Sequence, residues 1–271
     1  MPDHNMRDVP LIGQGTWMIE KDPADRAVSA LRRGIELGMT LIDTAEMYGS
    51  GAAEKITARA IAGQRERVFV VSKMLPSNAS YDGTRRACER SLKRLGIDCL
   101  DLYLLHWRGS VPLAETMRGL ESLVRDGMTR LIGVSNFDVD DVKQAERALK
   151  NEPLACNQVL YHLGDRGIER RLIPYCRERG IAVMGYSPFG HSGFRGRPTL
   201  EAAAKRNGKT VRQAVLSFLT RDGVFAIPKS GNLEHVQENA GALGWRMSVE
   251  DIAEIDKAFP APDHDVPLGM I

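Results

Sequence analysis

A closed parallel barrel of eight β/α units is the fold class this sequence predicts, and three observations carry it. Short apolar runs recur eight times along the 271 residues, and they are near-continuously apolar, as expected of strands covered on both faces. Amphipathic stretches with helix caps separate them at spacings of roughly 30 residues, the length of one βα unit. No linker, low-complexity tract or break in composition interrupts the alternation. The chain therefore reads as one α/β domain over 1–271, a single (β/α)8 barrel with an extra C-terminal helix and tail.

The first run is VPLIGQGTW from Val9, followed by a helix over 24–37 that places Ala27, Ala30, Leu31 and Ile35 near one face, with Gly38 as its stop. TLIDTA from Thr40 is the second run and VFVVSK from Val68 the third, after which a helix over 84–95 ends before Gly96. The fourth, CLDLYLLH from Cys99, leads to a helix over 112–126 that stops before Gly127. RLIGVSN from Arg130 is the fifth, and Asp138 caps the helix after it. ACNQVLY from Ala155 precedes a helix over 169–179 closed by Gly180. IAVMGYSP from Ile181 leads into the loop FGHSGFRGRP and two helical segments divided near Asn207 and Gly208, before the eighth run, VFAIPKS, from Val224. SVEDIAEIDKAF then forms the extra helix, with Ser248 as cap and Glu250 and Asp251 in its first turn. The Pro-rich tail from Pro260 is expected to cross the barrel mouth.

Composition narrows the function classes. Lys plus Arg number 37 and Asp plus Glu 35, a net charge of +2 with no run of five or six like charges, so a phosphate-backbone binder has little electrostatic support and nucleic acid is not expected as a partner. Cys88, Cys99, Cys156 and Cys176 form no CxxC pair and no Cys/His cluster, so they read as buried thiols, with no metal site. MPDHNMRDVP lacks an apolar core, and no apolar stretch approaches the eighteen or so residues of a membrane span. A cytoplasmic protein with no membrane partner is the expectation.

In a barrel of this kind the chemistry lies at the C-terminal ends of the strands, so polar residues that end apolar runs are the candidates. Asp43 ends the second run, Lys73 the third and His106 the fourth, while Tyr48 lies in the glycine-bearing loop after Asp43. Adjacent strands stand about 4.8 Å apart, so these groups can meet around one small molecule. Tyrosine is a weak acid at its ordinary pKa of about 10, which a neighbouring ammonium at Lys73 is expected to lower, with Asp43 compensating the ammonium. His106 is placed to hydrogen-bond a carbonyl oxygen. Individually, Asp43 and Lys73 could be a structural ion pair, His106 a satisfied core histidine, Trp17 and Trp107 core aromatics and Lys229 a surface lysine. Their combination and order favour chemistry. His4, His162, His191 and His264 belong to no pattern. Delivering a proton to a carbonyl also needs a hydride, which no side chain supplies, so a nicotinamide cofactor is implied.

DTAEMYG with Lys73 and His106 resembles the Asp, Tyr, Lys, His tetrad of the aldo-keto reductases. LIGQGTW, GVSNF, the NQ pair, YSP, IPKS and ENA follow in that family's order over nearly the whole chain. The resemblance implies a (β/α)8 (TIM) barrel that binds NADPH without a Rossmann fold and reduces an aldehyde or ketone. GQGTWM from Gly13 and GSGAAE from Gly49 indeed lack the third small residue of the dinucleotide fingerprint. Carried over by position, Tyr48 is the general acid, Lys73 and Asp43 its tuning pair, and His106 the carbonyl orienter. Ser135, Asn136 and Gln158 hold the nicotinamide carboxamide, and Tyr186 stacks on its ring. The Ser187 loop touches the pyrophosphate, Lys229 and Ser230 the phosphate on the adenosine ribose, and Glu238 and Asn239 the adenine, while Trp17 and Trp107 line the substrate pocket. One departure stands out: His235 replaces the family's common Arg near the 2′-phosphate. It implies weaker discrimination and some use of NADH. The resemblance further implies a monomer acting on small carbonyls such as methylglyoxal, with keto-sugars of the diketogluconate type as the alternative. Two other classes share these residues: a dinucleotide-binding sensor with negligible turnover, and a Schiff-base lyase using Lys73 or Lys229.

Overall fold

The apolar runs pair in sequence order into one eight-stranded parallel sheet, described by a computed structural model over residues 6–190 and 198–271. The strands are β1 (Gln14–Gly15), β2 (Leu41–Asp43), β3 (Phe69–Met74), β4 (Leu100–Leu105), β5 (Thr129–Ser135), β6 (Cys156–Leu160), β7 (Ala182–Tyr186) and β8 (Phe225–Ile227). Backbone bonds then close the ring: Ala226 N–H donates to Leu11 O (2.7 Å), Gly13 N–H to Ala226 O (2.9 Å) and Gly15 N–H to Pro228 O (3.1 Å). Gly15 is required at this seam, because a Cβ there would lie 2.7 Å from the Ile227 carbonyl oxygen.

Ten helices surround the barrel among the described residues: α1 (Ala24–Glu36), α2 (Ala52–Ile61), α3 (Tyr81–Leu95), α4 (Leu113–Arg125), α5 (Val139–Ala148), α6 (Leu172–Arg179), α7 (Pro198–Arg206), α8 (Val211–Leu219), α9 (Leu233–Ala240) and α10 (Val249–Ala258). The expected caps form. Asp138 accepts from Asp141 N–H (2.8 Å) and Ser248 from Asp251 N–H (3.1 Å), each satisfying an orphan donor and contributing about 1 kcal/mol. Gly96 and Gly180 end α3 and α6 in the left-handed conformation.

Three boundaries and one whole helix differ from the sequence reading. Only Gln14–Gly15 of the first run is regular strand, because Met6, Val9 and Leu11 pack into the barrel floor instead of extending the ladder. Helix α2 went unnoticed because its inward stripe relies on alanine: Ala53 and Ala60 flank Ile56 and are buried against α1. Helix α3 starts at Tyr81 and runs through Gly83, an unfavourable helical residue made necessary by Asn78 O, which a Cβ would meet at 2.6 Å. Helix α6 starts at Leu172, not 169, since Glu169 turns to Arg166 and Arg221 while Arg170 and Arg171 turn to Asp265.

Strand period two sorts the core into two layers. Leu41, Val71, Leu102, Leu104, Cys156, Met184, Phe225 and Ile227 fill the barrel, while Ile42, Val70, Tyr103, Leu105 and Val159 face the helices. Continuing the inward phase by two residues on each strand reaches Asp43, Lys73, His106, Gln158 and Tyr186, so the barrel's uppermost layer is polar. All four cysteines are free; Cys88, Cys156 and Cys176 are buried as expected, and burial raises the thiols of Cys88 and Cys176 to about 12, whereas Cys99 is only half-buried, contrary to the sequence reading. No helix among the described residues is long and apolar enough to cross a membrane.

Candidate active site

The uppermost layer is joined by hydrogen bonds into one unit. Lys73, fully buried, donates from Nζ to Asp43 Oδ2 (2.7 Å), to Thr44 O (2.9 Å) and to Tyr48 Oη (3.2 Å), which exhausts its three protons. Tyr48 is brought over the strand ends by a turn spanning Tyr48–Gly51 in which Gly49, Ser50 and Gly51 all have positive φ. Glu46 secures that turn from below, accepting from Leu75 N–H and Asn78 Nδ2, both at 2.7 Å. His106 meets the Tyr48 ring edge-on at 5.7 Å, and Trp107 lies 4.9 Å from the imidazole.

Electrostatics correct one expectation. Burial raises the Tyr48 pKa, and this outweighs the lowering by Lys73, so the phenol is a weaker acid than free tyrosine and stays protonated at neutral pH. Burial opposes the Lys73 charge, yet Asp43 and then Tyr48 hold its pKa above the ordinary lysine value, leaving a permanent ammonium. Burial, followed by the Lys73 charge, lowers His106 to about 3, so its imidazole is neutral. His106 Nδ1 is buried without a partner. An unpaired lone pair costs less than an unpaired N–H, which favours the tautomer with its proton on Nε2.

Asp43, Tyr48, His106, Asn136, Gln158, Tyr186, Ser187, Lys229, Trp17 and Trp107 line one continuous cleft, with Lys73 behind its wall. Asn136 adopts φ 60°, turning its amide so that Nδ2 donates to His106 O (3.0 Å) while Oδ1 accepts from the Tyr186 hydroxyl (2.9 Å). Met18, Ser50, Asn136 and Ser187 are the four non-glycine residues with positive φ among those described, and all lie on loops at the strands' C-terminal ends. Such strain, of order 1–3 kcal/mol each, gathers at functional sites.

Other predicted residues stand apart from the cleft. Ser135 turns its hydroxyl to Gln158 O (2.8 Å) and does not line it. Ser230 forms a local turn with Asn232, His235 is exposed on α9, and Glu238 pairs with Arg212. Asn239 is buried, with Oδ1 unpartnered. Beyond Ser187, residues 191–197 of the predicted loop, with His4 and His191, lie outside the described residues. His162 accepts from Gly164 N–H through Nδ1 (3.0 Å), a local turn. Sequence reasoning missed Gly15, Met47, Ile227, Met270 and Ile271, which also line the cleft. Met47 adjoins Tyr48, and the tail was expected to cross the mouth, so only their contact with the cleft was hidden.

The profile of the Aldo/keto reductase family matches residues 11–259. The chain belongs to that family. It is 45% identical to methylglyoxal reductase YeaE of Escherichia coli K12, over 97% of this chain and 95% of that protein. Glyoxal reductase of Bacillus subtilis 168 is 34% identical, over 96% and 95%. A crystal structure of an aldo/keto reductase from Klebsiella pneumoniae in complex with NADP and acetate has 44% identity and a TM-score of 0.92, over 97% of this chain and 96% of that one.

Within an aldo/keto reductase, the observed geometry disfavours the Schiff-base alternative. A nucleophilic lysine must be neutral, whereas Lys73 is held charged by Asp43 and Lys229 is paired to Asp22 at 2.7 Å. The cleft's lining suits a phosphorylated dinucleotide: the amides of Asn136 and Gln158, the aromatic ring of Tyr186 and the ammonium of Lys229 all open onto it.

Proposed function

We propose that this chain reduces small aldehydes and dicarbonyls of the methylglyoxal type with NADPH, Tyr48 supplying the proton. The observation that carries the reading is the Tyr48 hydroxyl, 3.2 Å from a fully buried ammonium and edge-on to a neutral imidazole in one cleft. The names of the relatives, methylglyoxal and glyoxal reductases, and the NADP in the Klebsiella structure support the substrate class and the cofactor.

Asn136 and Gln158 would hold the carboxamide, with Ser135 bracing the Gln158 backbone, and Tyr186 would support the ring. Lys229 and Ser230 would take the ribose phosphate, and Glu238 and Asn239 the adenine. When bound, the reduced nicotinamide supplies the hydride. His106 donates from Nε2 to the carbonyl oxygen and fixes its position. Tyr48 then passes its proton to that oxygen as negative charge builds there, and Lys73 stabilises the phenolate left behind. Asp43 keeps Lys73 charged throughout, and solvent reprotonates Tyr48. A raised pKa makes the phenol a poor donor to a neutral carbonyl, so transfer waits until charge has developed on the oxygen. Trp17, Met47, Trp107, Met270 and Ile271 line the cleft with apolar surface, which suits a short carbonyl with a small apolar substituent.

A steady-state panel of short dicarbonyls, aromatic aldehydes and keto-sugars with both nicotinamides tests the substrate class. Methylglyoxal-type compounds should give the highest kcat/KM, and keto-sugars leading the panel would overturn that assignment. Tyr48→Phe should lower kcat by about 10²–10⁴ with NADPH affinity nearly unchanged. Full turnover in that variant would remove Tyr48 as the acid.

A further inference from the structure

Lys229 follows the eighth strand and lines the cleft, yet its charge is already engaged. Its Nζ lies 2.7 Å from Asp22 Oδ2. Asp22 comes between the short turn Ile19–Lys21 and α1, so the ion pair bridges the β1–α1 and β8–α9 loops. The bridge is built into both loops. At Gly231 a Cβ would stand 2.1 Å from Asp22 Oδ2, so the backbone there leaves room for the carboxylate. Arg26 on α1 also donates from Nε to Gly231 O at 3.0 Å. Lys229 and Asp22 keep 33% and 28% of their side-chain surface exposed, so a ligand can reach the pair.

Resting on the reading that Lys229 receives the phosphate of the adenosine ribose, we infer that Asp22 sets the discrimination between NADPH and NADH by competing with that phosphate for Lys229. The carboxylate offers the ammonium the same kind of partner as the phosphate. Binding a phosphorylated dinucleotide must break or share the pair, and a phosphate beside Asp22 also meets like-charge repulsion. A dinucleotide without that phosphate leaves the pair intact. Asp22 therefore weakens NADPH selectively and draws the two affinities together. His235, standing where an Arg would bring a permanent charge and a bidentate fork, acts in the same direction.

Dissociation constants for NADP+ and NAD+, measured by isothermal titration calorimetry on the full chain, test this in the wild type, Asp22→Asn, Lys229→Met and the double variant. Asp22→Asn should tighten NADP+ on the order of tenfold at low salt while leaving NAD+ within about twofold. In the Lys229→Met background the same substitution should do nothing. Unchanged or weaker NADP+ binding in Asp22→Asn, equal tightening of both dinucleotides, or a gain that persists without Lys229 would each overturn the inference. Asp22→Ser carries the same expectations should the Asn variant fail to fold. Failure of the wild type to bind either dinucleotide would instead defeat the reductase reading itself.

Discussion

Gln158 donates from Nε2 to Asp43 Oδ1 at 2.8 Å, tying β6 to β2 across the inside of the barrel. Asp43 spends its other oxygen on Lys73, so the amide expected to face the nicotinamide also braces the carboxylate behind Tyr48. Replacing Gln158 with Leu leaves a buried charged acceptor short of one donor. Urea unfolding should show a loss of about 1–3 kcal/mol. Unaltered stability would mean that this bond contributes nothing.

Breaking the ion pair from one side should be worse. Asp43→Ala strands the Lys73 ammonium in a fully buried position, at a cost of about 3–5 kcal/mol. Asp43→Leu with Lys73→Met removes both charges and should recover most of that stability, as read by thermal and urea unfolding, while turnover stays lost. Recovery of turnover together with stability would show that neither charge serves the reaction.

The pH dependence follows from two shifts of opposite sign. Tyr48 donates only when protonated, and burial holds its pKa above the ordinary tyrosine value, so activity is lost only as pH rises beyond about 10. His106 sits at about 3, so the kcat/KM profile for reduction should show no histidine step between about pH 5.5 and 7.5. A depressed histidine pKa also means that the unfolded chain binds the proton first. The stability owed to neutral His106 is therefore present above about 6.5 and declines as pH falls toward 3, and acid titration of His106→Gln should show a shallower decline.

His235→Arg adds a permanent charge and a bidentate fork on an exposed face of α9. The substitution should tighten NADP+ selectively in equilibrium titration. Equal gains for NADP+ and NAD+ would place His235 away from the ribose phosphate.

The barrel was legible because its signal is local. Apolar runs, caps such as Asp138 and Ser248, and the stops at Gly96 and Gly180 each involve residues a few positions apart. Helix α2 escaped because alanine gives little hydrophobic contrast, and Val9–Leu11 read as strand because a floor plug and a buried strand share one composition.

Asp43, Lys73 and His106 could be singled out from the sequence, since a polar residue ending an inward-facing apolar phase has one destination in a closed barrel, and Tyr48 could be singled out from the glycine-bearing loop that follows Asp43. What the phenol's acidity would be, and whose charge Lys229 would hold, could not. Desolvation of Tyr48 depends on how completely separate strand ends and loops exclude water around it, and that sum reversed the sign expected from Lys73 alone. Asp22 meets Lys229 across 207 positions, and Gln158 meets Asp43 across 115. Such pairings arise only when the ring of strands closes, because closure brings the first and last loops together and turns distant side chains into one interior layer.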